Sequence, residues 1–145
     1  MIKFLTFISK PFKKLLLSQL SRIEKQHQQR EKIWHYYAKK FNKINGISFP
    51  EIVPNSKHAY HMFVIWVDPK KRDKIRKKIE DAGIETSIHY NPIHLEPYYK
   101  KTFGYKPGDF PVAEKLGFSS ITLPLYPSLK KEEQDYIIKE IKKLV

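Results

Sequence analysis

Three side chains near the middle of the sequence, His89, Tyr90 and His94, have the types and spacing of a binding or proton-handling site. They fall where an apolar run ends and a proline-rich stretch, NPIHLEPYYKKTFGYKPGDFP, begins. Site residues concentrate at such junctions. An imidazole there can hydrogen-bond a sugar hydroxyl or a phosphate, or move a proton. The alternative is that all three side chains simply pack the loop. Pro92 and Pro97 stiffen the segment and fix the direction of His94. His58 and His61 lie three apart in an extended run. Odd spacing places them on opposite faces of a strand, which excludes joint chelation of a metal there, and His61 reads as a packed strand histidine.

Other chemistries are excluded by composition. The 145 residues contain no cysteine, so neither a disulfide framework nor a thiolate site is available. The glycines at 46, 83, 104, 108 and 117 stand singly, which rules out the common glycine-rich phosphate loops. No serine sits in a G-x-S-x-G turn. The net charge of +13 raises three anionic partners: nucleic acid, a membrane surface and a small molecule. The lysines are scattered, however, and the densest group (Lys70, Lys71, Arg72, Arg76, Lys77 and Lys78) falls on the outer face of a predicted helix. That pattern reads as a solvated face, and nucleic acid is not the expected partner. Met1–Ser9 is too short and too charged for a signal peptide, and no apolar run reaches the length of a membrane span. No membrane partner and a cytoplasmic location are therefore expected.

The elements that must position the three residues follow from periodicity. Leu16, Leu20, Ile23, His27, Arg30, Trp34, Tyr37 and Phe41 repeat at 4-3-4-3 spacing, which predicts one long helix over 11–42. A stripe this long exceeds what one small domain buries, so it suggests a helix that spans two domains or meets a second chain. The run AYHMFVIWV predicts a strand over 59–67, nearly continuous and so covered on both faces. Asp68 and Pro69 mark a helix start, Ile75, Ile79 and Ala82 its inner face, and Gly83 its left-handed cap. A second strand is predicted over 84–90, a short helix over 112–118, a third strand over 120–123 and a last helix after Ser128 that buries Ile137, Ile141 and Leu144. The expected fold is a small α+β sandwich, with a short, mostly antiparallel sheet packed with helices and preceded by the long helix.

Three segments carry a resemblance: HAYHMFVIWV, then RDKIRKKIEDAGIETSIHYNPIHLEPYYKKTFGYKPGDFPVAEKL, then ITLPLYPSLKKEEQDYIIKEIKKL. Together they resemble the C-terminal domain of the DegT/StrS-type sugar aminotransferases, and SQLSRIEKQHQQREKIWHYY resembles the long helix that joins the two domains of those enzymes. The run HYNPIHLEPYYKKTFGYKPGDFPVAE is most similar to the branch of UDP-4-amino-4,6-dideoxy-N-acetyl-altrosamine transaminases, which aminate UDP-4-keto-6-deoxy-N-acetylhexosamines.

The resemblance implies a fold-type-I, pyridoxal-phosphate-dependent enzyme that works as a homodimer and passes an amino group from glutamate to a keto-sugar nucleotide. In the family the cofactor lysine and phosphate cup belong to the larger N-terminal domain, so pyridoxal phosphate is not expected to bind this chain alone. The family's Asn-Tyr-Arg-type segment has no counterpart in ISKPFKK. Residues 1–14 thus read as unmatched sequence and 15–145 as the small domain of a truncated enzyme, inactive alone. A separate chain carrying the cofactor domain is the alternative, and a basic module for polyanions a third reading. By the resemblance, His94 faces the UDP-sugar side of the site, and Tyr90 and His89 line the neighbouring strand end.

Overall fold

The computed structural model describes residues 10–145. Most of the N-terminal segment 1–14 lies outside them. Two helices open the described chain, α1 (Lys10–Leu20) and α2 (Ile23–Phe41). The single helix expected over 11–42 is therefore interrupted at Ser21 and Arg22. The cause is competition for one carbonyl. Ser18 O accepts from Ser21 Oγ at 3.0 Å and from Arg22 Nε at 3.1 Å. The Arg22 N–H turns instead to Gln19 O, three residues back, and tightens the helix there.

The apolar stripe divides at the same place. Beyond the break, Trp34, Tyr37 and Phe41 are buried in the core. Before it, Leu16 and Leu20 are exposed, as is Ile23, the first residue after it. Glu24 near the start of α2 and Lys39 and Lys40 near its end suit the helix dipole.

Strand β1 (Phe63–Trp66) pairs antiparallel with β2 (Ser120–Leu123), with Phe63 opposite Leu123 and Val64 opposite Thr122. The strand begins later than AYHMFVIWV suggested. Tyr60 has φ +47 and gives its N–H to His58 Nδ1 at 3.1 Å, which takes 58–60 out of the extended ladder. Phe63, Ile65 and Val67 are buried, whereas Val64 and Trp66 on the other face are half-buried. Only one face of β1 is therefore core. The strand expected over 84–90 is reduced to one bridge, Ser87 with Thr122.

Between the strands lie α3 (Arg72–Asp81), a short 3-10 turn (Ile93–Leu95), α4 (Pro97–Phe103) and α5 (Pro111–Ser119); α6 (Lys131–Lys142) closes the chain. Helix α3 starts at Arg72 rather than Pro69 because Asp68 closes a turn first. Its Oδ1 accepts the Lys70 N–H and its carbonyl the Lys71 N–H, both at 2.9 Å. Pro97 and Pro111 occupy the first turns of α4 and α5, where their missing N–H costs nothing. In α6 the Glu133 carboxylate accepts the Lys130 N–H at 2.7 Å. Helices α2 and α6 pack together over the core, and the Tyr37 hydroxyl donates to Pro124 O at 3.2 Å. Ile75 and Ile79 of α3 complete the core, and Gly83 ends that helix at φ +78, a left-handed value that glycine adopts without strain.

Candidate functional site

A groove of 340 Å³ opens on the outer face of the two strands. Its floor is Val64 and Trp66 of β1, one wall is Ala113, Leu116 and Gly117 of α5, and the other runs from His89 to Ile93. Antiparallel alternation makes the floor. The residues that turn Phe63 and Ile65 inward necessarily turn Val64 and Trp66 outward.

His89 is aimed from below. Its Nδ1 shares a 2.8 Å hydrogen bond with Thr122 Oγ1, and Thr122 is 7% exposed and fixed by main-chain bonds to Ser87 in both directions. With Nδ1 engaged, Nε2 is the ring nitrogen left for a ligand. The Tyr90 side chain is 72% exposed and stacks edge-on against the His89 ring at 4.9 Å. The groove thus offers one imidazole and one phenol over an apolar floor. That set can orient a polar ring and shield it from water.

His94 is placed differently. It is 4% exposed, its Nε2 lies 2.8 Å from Glu114 Oε1, and its ring packs on Phe110 at 4.8 Å. It does not line the groove. Glu114 Oε1 also accepts the Gly108 N–H at 2.8 Å. These bonds, the Gly108 N–H foremost and His94 next, hold the Glu114 carboxyl below its usual range. The His94 side chain is a latch between the 3-10 turn and α5. His61, expected to pack, is exposed. The structure therefore joins His89 and Tyr90 in one groove and sets His94 behind it.

Sequence reasoning missed Val64, Trp66, Thr122 and Glu114. Alternation in FVIW could have found the first two. Nothing local marks Thr122 or Glu114, whose partners lie 33 and 20 residues away.

Three members of the basic cluster around α3 are engaged internally. Arg72 is 7% exposed and donates through Nε to Phe118 O at 3.1 Å. Arg76 pairs with Glu80 at 2.7 Å and Lys77 with Asp81 at 2.8 Å. Among the described residues no group of histidines and carboxylates is arranged to hold a metal ion, and no helix is long and apolar enough to cross a membrane.

Known proteins place this architecture. The spore coat polysaccharide biosynthesis protein SpsC of Bacillus subtilis (strain 168) is 36% identical over 134 residues, which cover 89% of this chain and 34% of SpsC. The dTDP-3-amino-3,6-dideoxy-alpha-D-galactopyranose transaminase of Aneurinibacillus thermoaerophilus is 27% identical, covering 88% of this chain and 34% of that enzyme. Among solved structures, the PLP form of Spr1654 from Streptococcus pneumoniae superposes with a TM-score of 0.81 at 30% identity, over 88% of this chain and 33% of that one. The chain spans about a third of the length of the relatives it matches. Residues 14–142 match the DegT/DnrJ/EryC1/StrS aminotransferase family, and the chain belongs to that family.

Proposed function

We propose that residues 15–145 form the small C-terminal domain of a pyridoxal-phosphate-dependent nucleotide-sugar aminotransferase and supply the sugar-side wall of its active site. The observation that carries this reading is the groove in which His89 and Tyr90 stand over Trp66. His89 Nε2 and the Tyr90 hydroxyl orient sugar hydroxyls or the nucleotide phosphates, while Trp66, Val64 and Leu116 exclude water. His94 holds the wall from behind through Glu114.

Members of this family are pyridoxal-phosphate enzymes. The residues of the groove do not fit that cofactor by themselves. Its phosphate needs cations or converging N–H donors, and among the described residues no lysine or arginine lines the groove. A complete site then requires a cofactor domain, on a longer form of this protein or on a partner chain, within a cytoplasmic homodimer. In that setting glutamate is the amino donor, a UDP-4-keto-6-deoxy-N-acetylhexosamine the acceptor, and this chain alone is inactive.

The test is a chimera in which residues 15–145 replace the matching segment of Bacillus subtilis SpsC. The expected result is glutamate-dependent amination of a keto-sugar nucleotide. A folded chimera that binds the cofactor and accepts glutamate, yet aminates no keto-sugar nucleotide, overturns the assignment.

A further inference from the structure

His89 is aimed by Thr122 of β2, but the part of the same loop that starts at Tyr90 is seated on α5. Glu114 and Gly117 lie three residues apart, on one face of this helix. Through Oε1, Glu114 takes both the His94 ring and the Gly108 N–H at 2.8 Å. Gly117 meets the other end of the same segment. A Cβ built there would lie 2.7 Å from Pro92 Cδ and 2.9 Å from Tyr90 O, closer than real contacts allow. Helix α5 thus grips the segment at His94 and lets it approach at Tyr90 and Pro92. The same helix lines the groove with Leu116. The width of the groove above Trp66 is therefore set by how closely this one segment seats on α5.

We propose that Glu114 is a positioning residue. It acts through His94 and Gly108 to hold the Tyr90–Ile93 wall at its distance from Trp66, and so fixes the span available to a sugar ring. The consequence for a sugar rests on the aminotransferase reading, but the geometry does not. A test that reads geometry alone separates the two.

The 145-residue chain has two tryptophans, so labelling with 5-fluorotryptophan gives two fluorine resonances. Trp66 reports on the groove, and Trp34, 7% exposed in the core, reports on the rest of the fold. Glu114→Ala is expected to shift the Trp66 line, leave the Trp34 line in place and speed hydrogen exchange at the Gly108 amide about tenfold. Glu114→Gln, which keeps an acceptor oxygen, is expected to restore both signals. Gly117→Ala, which pushes the wall from its near end, is expected to move the Trp66 line as well. A folded Glu114→Ala chain with an unmoved Trp66 line overturns the proposal, as does equal movement of both lines. Should the alanine variant fail to fold, Glu114→Asp retracts the same carboxylate. A displaced Trp66 line then supports the proposal, and an unmoved one overturns it.

Discussion

The imidazole of His94 and the carboxylate of Glu114 meet at 2.8 Å, with His94 only 4% exposed. His61, by contrast, faces solvent at the mouth of β1. His94→Ala is therefore expected to lower stability by about 1–3 kcal/mol, the cost of removing one partner of a buried hydrogen bond. His61→Ala is expected to stay within about 0.5 kcal/mol. Urea unfolding of the two variants measures this. Equal losses, or a larger loss at His61, contradict the placement.

Acid should weaken the same latch. The Gly108 N–H and the His94 ring favour ionised Glu114, so its carboxyl is lowered in the folded chain. A lowered carboxyl contributes stability above its unfolded value and loses it as pH falls through its folded one. The window is thus below the ordinary carboxylate range. Midpoints of urea unfolding from neutral pH to pH about 3 are expected to fall less in Glu114→Gln than in the parent chain. Parallel curves contradict the assignment.

A second titration reports on the contact between α2 and α6. The Tyr36 hydroxyl donates to Asp135, and this bond foremost pushes the phenol up to about 12. Alkaline difference spectra should show the half-buried Tyr36 ionising above the ordinary phenol range. Asp135→Asn should return it to that range. An unchanged titration in that variant counts against the contact.

The exposed stripe along α1 and the start of α2 should make the chain associate. Leu16, Leu20 and Ile23 are 45%, 60% and 53% exposed. Each large apolar side chain left in water forgoes roughly 1.5–3 kcal/mol of burial. Sedimentation is expected to show self-association, with binding of an apolar dye. Leu16→Glu with Leu20→Glu should abolish both without lowering the melting temperature. A dilute, monodisperse parent chain that binds no dye refutes this expectation.

The elements legible in the sequence were those whose ends carry their own chemistry. Pro111 opens α5, Gly83 closes α3, and Glu133 caps α6. Three of the misread boundaries were decided by a side chain that captured a main-chain group. Arg22 and Ser21 took the Ser18 carbonyl, Asp68 the Lys70 N–H, and His58 the Tyr60 N–H. Periodicity does not register such bonds. The site was half legible for the same reason. His89 and Tyr90 stand next to the proline-rich loop that the sequence marks, although the strand expected to lead into it is a single bridge at Ser87. The withdrawal of His94 depends on Glu114, and the aim of His89 on Thr122, both brought near only by tertiary folding.

The sugar-side wall is the part of the proposed site that this chain supplies. That assignment is tested most directly in the SpsC chimera carrying Tyr90→Ala or His89→Ala, with the two half-reactions followed separately. Conversion of the cofactor by glutamate is expected to proceed at the unsubstituted rate. Amination of the keto-sugar nucleotide is expected to slow by about tenfold, the equivalent of roughly 1.4 kcal/mol of lost contact. If both half-reactions fall together, or the sugar step is unchanged by either substitution, the groove is not the sugar-side wall.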